Sequence, residues 1–244
     1  MLASTSIAAE NRPHHATLAI GISADGAPYA FTRAGVLMGL EIDLARALAT
    51  ALERELRLQR LPEGRLIDAL RGGRIDLMFS RLPPAELNAF GLTTSTPVLA
   101  TGQMALLRSD DLNRFPRLLD LELSTARIGY ERGSLGARLV QARFARAERV
   151  PLAGPKEGLA ALRAGQIDLF IHDATTAWRL AADPRETELT ALYRPLTHTR
   201  LRVVLRSEDR HLKHEIDRIL AEWHRSGRLK RLIGRWVPVQ IRVG

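Results

Sequence analysis

Residues Ala69–Leu77 read A-L-R-G-G-R-I-D-L, and residues Ala161–Leu169 read A-L-R-A-G-Q-I-D-L. Seven of the nine positions are identical, at an offset of 92 residues. A fainter echo stands upstream of each copy, T-L-A-I-G at Thr17–Gly21 and T-A-R-I-G at Thr125–Gly129. A twofold internal similarity points to two lobes of similar design, and a cleft between lobes is a common place for a ligand. Ala-Leu-Arg is good helix-forming sequence. Gly73 and Gly165 suit a helix end that needs a left-handed residue. Ile-Asp-Leu then opens a short apolar run, which reads as a buried strand. Each copy is therefore helix, glycine stop, core strand. Ser80-Arg81 and His172-Asp173 fall at the ends of those strands, where open α/β sheets bind ligands. The alternative is a joint that any α/β fold reuses; the second echo favours two lobes.

The rest of the chain alternates in the same way. Thr17–Ser23 is expected as the first strand, Ala24–Gly35 as a loop, and Glu41–Leu52 as a helix with Leu44, Leu48 and Leu52 on one face. Glu41 and Asp43 lie in its first turn, where negative charge suits the helix dipole. Leu56–Leu61 reads as a strand, Pro83-Pro84 closes the first repeat unit, and Thr93–Pro97 reads as a polar turn. Val98–Arg108 reads as one strand crossing between lobes. Gly133–Gly136 leads into a helix over Ala137–Ala147, with Ser134 as a candidate cap. Thr175–Ala182 reads as a helix stopped by Asp183-Pro184, and Leu201–Leu205 as a returning strand. Leu212 to Trp223 marks an amphipathic helix, Ser226-Gly227 breaks it, and Leu229 to Trp236 marks a last helix before Pro238. Alternating strands and helices give an α/β class. The expected lobes are 16–100 plus 200–244, discontinuous, and 103–197. Residues 1–15 read as a signal-peptide stub or a leader outside the fold.

Composition excludes several classes. No apolar stretch approaches the length of a membrane span, so stable membrane insertion is not expected. There is no cysteine, which rules out disulfides and thiolate metal sites. The net charge of +9 comes from arginines scattered along helices, with no nucleic-acid-binding motif, so no nucleic-acid partner is expected. His211 and His214 sit three apart on a helix, but two ligands without a third make a poor metal site. No metal or other cofactor is expected, and the chain reads as a monomer.

Taken in order, G-L-E-I-D-L at Gly39–Leu44, P-Y-A-F at Pro28–Phe31, the two A-L-R-x-G-x-I-D units, S-G-R-L at Ser226–Leu229 and the Trp236 ending resemble the type-2 periplasmic solute-binding proteins of the polar amino-acid class, extracellular solute-binding protein family 3. The resemblance implies a two-lobed fold with a hinge of two crossover strands, near Leu99–Gly102 and His198–Arg202. It also implies a ligand stacked on an aromatic of the first loop, where Tyr29 and Phe31 stand. Ser80, Gly133-Ser134 and Asp173 occupy the family's serine, glycine–hydroxyl and ammonium-binding aspartate positions.

One departure is large. In amino-acid binders of this class an arginine eight residues after the serine clamps the carboxylate; counted without gaps, that position is Asn88. The hydroxyl residues three and five after the serine are Pro83 and Ala85. Asparagine replaces neither the charge nor the fork of a guanidinium, and losing such a partner typically weakens binding by ~100-fold or more. Three readings stay open: Arg81 supplies the charge from another direction, the ligand has no α-carboxylate, or the cleft no longer binds a small solute tightly. His172 alternates with Asp173 and is expected on the other face of its strand. The function implied is non-enzymatic capture of a small polar solute in the periplasm for an ABC importer. The competing readings are a ligand-sensing input domain, a dehydratase-type enzyme using Glu63 and Asp173 as acids, and the effector domain of a transcription regulator.

Overall fold

The computed structural model describes residues 17–24, 26–181, 183, 186–192 and 194–237. The expected leader over 1–15 and the expected stops Pro184 and Pro238 lie outside the described residues. The chain begins with β1 (Thr17–Ile22), the hairpin β2 (Phe31–Arg33) and β3 (Val36–Met38), α1 (Leu40–Ala51), β4 (Glu55–Arg60), α2 (Glu63–Arg71) and β5 (Leu77–Ser80). It continues with α3 (Pro84–Asn88), β6 (Leu92–Thr94), β7 (Leu99–Thr101), β8 (Gln103–Arg108), a 3₁₀ turn, α4 (Leu118–Leu123), β9 (Arg127–Glu131) and α5 (Leu135–Arg143). Then come β10 (Glu148–Leu152), α6 (Pro155–Arg163), β11 (Leu169–Asp173), α7 (Ala174–Ala181), β12 (Leu189–Ala191), β13 (Thr199–Arg206), α8 (Arg210–Arg225) and α9 (Arg228–Gly234).

The strands form two sheets of one design. The first runs β4-β1-β5-β13-β6, with β7 also on β13; the second runs β10-β9-β11-β8-β12. In each, the first three strands are parallel and the fourth runs antiparallel to its neighbours. β7 pairs with β13 through Thr101↔Thr199 and Leu99↔Leu201, so the two expected crossover segments are bonded to each other.

The repeats are what make the sheets alike. Gly73 and Gly165 adopt φ of +71° and +65°, and each helix end is closed by the same bonds. Arg74 N–H donates to the Ala69 carbonyl and Gln166 N–H to that of Ala161, both at 2.9 Å. Buried Ile75 and Ile167 then lie over Gly21 and Gly129, where an added Cβ would stand 2.4 and 2.5 Å from the isoleucine methyls. Asp76 accepts from the Ala19 N–H at 2.8 Å, and Asp168 accepts from the Arg127 N–H at 2.9 Å. The two sequence echoes are therefore contact partners: the I-D of each repeat grips the T-x-x-I-G strand of its own sheet.

A third element completes the joint. Arg206, at the end of β13, donates from Nη1 to the carbonyls of Leu70 (3.0 Å) and Ile75 (2.8 Å). Arg108, at the end of β8, does the same to Leu162 (2.9 Å) and Ile167 (2.8 Å). Each arginine also faces the repeat's aspartate, Asp76 at 3.8 Å and Asp168 at 3.5 Å. The sequence carries this pair as R-S-D-D at Arg108–Asp111 and R-S-E-D at Arg206–Asp209.

Several expectations are corrected. Val98–Arg108 is two strands in different sheets, broken at Gly102, whose Cα lies against the Thr197 carbonyl. The polar turn expected at Thr93–Pro97 gives its first residues to β6, because Val204 and Leu205 of β13 supply pairing partners. α5 spans Leu135–Arg143 in place of Ala137–Ala147: Ser134 caps it by accepting from Ala137 N–H at 3.1 Å, and it stops at buried Phe144. Trp223 is fully buried in the first sheet's core, as its helical spacing suggests.

The joint makes two measurable demands. Arg206→Ala leaves two carbonyls without their charged donor and is expected to lower the unfolding free energy by about 2–4 kcal/mol. Arg206→Lys should recover part of that, since an ammonium lacks the planar fork. Urea titration reads both, and a loss in the alanine variant below about 0.5 kcal/mol would remove the joint from the stability argument. Asp168 offers a pH handle. Burial pushes its carboxyl up, but the Arg127 side chain and N–H, with the Arg114 charge, outweigh it and lower it from 3.8 to about 2. Its contribution is thus fully present above about pH 4 and lost as pH falls through about 2. With partly exposed arginine partners it amounts to about 1–2 kcal/mol. Asp168→Asn should flatten the stability profile across that interval; an unchanged acid slope would show that other carboxylates set it.

Candidate functional site

The first loop is built around α1. Leu40 and Glu41 open the helix by donating their N–H groups to the carbonyls of Pro28 and Tyr29, both at 2.9 Å. Gly39 makes this possible: its φ is +133°, and a Cβ there would stand 2.1 Å from the Tyr29 carbonyl oxygen. G-L-E-I-D-L and P-Y-A-F therefore clasp one another and fix Tyr29. Asp43 receives the indole N–H of Trp236 at 3.0 Å, and Trp236 packs edge-on against Phe31 with ring centres 5.8 Å apart.

The ends of β5 and β11 face each other across a cleft of about 1080 Å³, its open mouth included. Tyr29, Ser80, Arg81, Ser134 and Asp173 line it. Asp173 is 6% exposed. Its Oδ1 accepts from the Tyr29 hydroxyl (2.9 Å), the Thr175 N–H (2.9 Å) and the Thr175 hydroxyl (2.6 Å). Thr101 donates to the same carboxylate at 3.3 Å. Burial, with the Asp173 charge beside it, raises the Tyr29 phenol above its ordinary range, so its hydroxyl is held as a donor.

Arg81 lies between these groups. Its guanidinium carbon is 4.2 Å from the Tyr29 ring centre, and its Nε is 3.7 Å from Asp173 Oδ2. Burial works against its charge, but Tyr29, Asp173, Glu41 and Glu63 more than offset this and hold the guanidinium charged. The cleft walls also touch directly: the Thr176 hydroxyl donates to the Ala27 carbonyl at 3.0 Å, and Arg138 Nη1 donates to Glu86 at 2.7 and 2.9 Å.

Two expected positions lie elsewhere. Phe31 is on β2 against Trp236 and does not line the cleft. Asn88 is exposed at the end of α3. With its amide turned to give the NH₂ its acceptors, it donates to the carbonyls of Leu92 (3.0 Å) and Pro84 (3.2 Å). Pro83-Pro84 starts that helix and sets its phase, so Leu87 is buried and Asn88 turns away from the cleft. Ser80 accepts from the Leu82 N–H at 3.1 Å while lining the cleft. His172, expected on the far face, also lines it and meets Glu131 Oε2 at 3.2 Å.

Sequence reasoning missed Glu41, Gln103, Glu131, Arg132 and Thr176 as cleft residues. Glu41 had a signal, as the acid of G-L-E-I-D-L, but it was read as serving the helix dipole; it is 8% exposed at the cleft. Among the described residues the cleft carries four carboxylates, Glu41, Glu63, Glu131 and Asp173, against two arginines, Arg81 and Arg132. No cluster of three or more metal-ligating side chains occurs among the described residues, and no described helix is long and apolar enough to cross a membrane.

Comparison with known proteins places this architecture. The arginine-binding extracellular protein ArtP of Bacillus subtilis (strain 168) is 27% identical over 118 residues. That match takes in 48% of this chain and 45% of ArtP, so it spans less than half of the curated relative. The ancestral amino acid-binding protein AncCDT-1, a precursor of cyclohexadienyl dehydratase, superposes with a TM-score of 0.77 at 22% identity, covering 91% of this chain and 95% of its own. A mutant of ArgBP from T. maritima superposes with a TM-score of 0.75 at 25% identity, covering 91% and 96%. The model of the bacterial extracellular solute-binding proteins, family 3, matches residues 18–239. With nearly the whole chain inside that match, this protein belongs to the bacterial extracellular solute-binding proteins, family 3.

Proposed function

We propose that this chain is the periplasmic receptor of an ABC importer and captures a small polar, amino-acid-like solute between its two sheets. The observation that carries this reading is the cross-cleft cluster of Tyr29, Arg81 and Asp173, set at the facing ends of β5 and β11. An aromatic face, a buried carboxylate and a guanidinium converge on one cleft between the sheets, which is the composition of a polar-solute pocket. The relatives' names, an arginine-binding protein and an amino acid-binding ancestor, support the same class of solute. The lobes move about the β7–β13 pair, the bonded crossover between sheets. Carboxylate recognition, where the solute has one, falls to Arg81, since Asn88 faces away from the cleft.

The site is read as binding and not catalytic. Asp173 is committed as an acceptor to Tyr29, Thr101 and Thr175 and faces Arg81. A dehydratase needs a carboxylic acid free to donate its proton at the reacting group.

A melting-temperature screen of amino acids, amines and organic acids tests the proposal. A true solute at a hundredfold excess over its Kd should raise the midpoint by about 5–10 °C. Arg81→Ala should remove most of that rise for a solute that carries a carboxylate. If no compound in a broad screen shifts the wild-type protein, the solute-receptor reading fails.

A further inference from the structure

Arg81 lies where a cationic solute would place its charge. The aromatic face of Tyr29 and the carboxylate of Asp173 together form a cation subsite: a ring supplies its quadrupole, and a buried carboxylate supplies the counter-charge. In this protein both are engaged by one side chain of the chain itself, at 4.2 Å over the ring and 3.7 Å from Oδ2. The residue comes from the end of β5, on the opposite side of the cleft from Asp173. It leaves Ser80 in place and adds its guanidinium just beyond it. Its side chain is 25% exposed and lines the cleft, so the guanidinium is reachable from it.

We propose that Arg81 is a built-in occupant of the cation subsite, so that this receptor selects solutes that present an anionic or acceptor group to Arg81 and do not require their own ammonium or guanidinium at Tyr29–Asp173. The solute class is a small carboxylate whose amino group, where it has one, lies elsewhere in the cleft. This deepens the receptor reading above and rests on the cleft being the solute site.

The arrangement does two things at once. It neutralises Asp173 in the absence of any solute, and it joins the two sheets through the chain's own charge, alongside the Tyr29–Asp173 and Thr176–Ala27 bonds. A free cation must displace a tethered one, which carries the advantage of high effective concentration. A carboxylate meets the reverse situation: a charged, pre-positioned guanidinium at the cleft wall.

The test empties the subsite and refills it with the missing fragment. Ethylguanidinium chloride is titrated against the wild-type protein and Arg81→Ala, with sodium chloride at matched ionic strength as reference. The alanine variant is expected to gain about 2–4 °C in melting temperature at a probe concentration about five times its Kd, and the wild type to gain nothing. Asp173→Asn in the alanine background should abolish the gain. Arg81→Gln, nearer in volume, is titrated in parallel so that a folding defect in the alanine variant does not hide the answer. L-arginine should likewise bind the folded Arg81 variant at least about tenfold more tightly than it binds the wild type. The proposal is overturned if the folded variants respond to ethylguanidinium no more than the wild type does, or if the gain survives Asp173→Asn. Failure of the receptor reading is separate: it shows as a wild-type protein silent to the whole solute screen, whatever the variants do with ethylguanidinium.

Discussion

The structure depends on one short-range grip, made twice. An aspartate placed just after the buried isoleucine of a helix–glycine–strand joint accepts the backbone N–H of the neighbouring strand, Asp76 from Ala19 and Asp168 from Arg127. The isoleucine beside it needs a glycine beneath, Gly21 or Gly129. An arginine from the antiparallel strand then adds a charged donor to two carbonyls of the joint, Arg206 to Leu70 and Ile75, Arg108 to Leu162 and Ile167. Buried carbonyls and carboxylates are costly unless paired, so the three pieces constrain one another. The joint fixes the register of β5 beside β1 and of β11 beside β9. Strand register in turn decides what stands at the strand ends, Ser80-Arg81 on one side and His172-Asp173 on the other. The cleft chemistry is thus positioned by contacts at the opposite ends of the same short strands.

Much of this was legible from residues alone because it is local. A glycine after Ala-Leu-Arg, then Ile-Asp-Leu, carries its conformation in a nine-residue window, and both copies fold as that window implies. The T-x-x-I-G echo was legible as a similarity, but not as a partner of the repeat, because the bonds between them span 57 and 41 residues. The R-S-D-D and R-S-E-D pair went unread for a related reason. In a chain with 36 lysines and arginines, two arginines at strand ends look like surface charge until their carbonyl partners are known.

The site was legible where it follows strands and illegible where it depends on helix phase or side-chain reach. Ser80, Arg81 and Asp173 sit at strand ends and reach the cleft together. Asn88 was located by gap-free counting, yet a five-residue helix begun by Pro83-Pro84 rotates it outward, and counting carries no phase. Phe31 and Tyr29 are two residues apart, but Gly39 lets α1 bond the Pro28 and Tyr29 carbonyls, which holds Tyr29 inward while Phe31 passes to Trp236. His172 lines the cleft beside Asp173 because Glu131, at the end of the neighbouring β9, offers its ring nitrogen a partner there.

The same geometry explains how a strongly basic chain keeps an acidic cleft without being closed to anions. Its net charge is +9, yet the cleft walls bring Glu41, Glu63, Glu131 and Asp173 together. Four carboxylates around one space repel one another, and the two buried ones, Glu41 and Asp173, have the least water to offset it. Arg81 answers the most enclosed of them from within and is itself held charged by the others. Once it is in place, Asp173 no longer acts as an open acceptor for a solute cation, because its lone pairs already face Tyr29, Thr101, Thr175 and Arg81. The guanidinium itself stays charged and partly exposed at the cleft wall. A guanidinium held charged at the cleft wall favours a solute that brings an anionic group to it, so the proposed preference for anionic solutes turns on the residue one beyond Ser80.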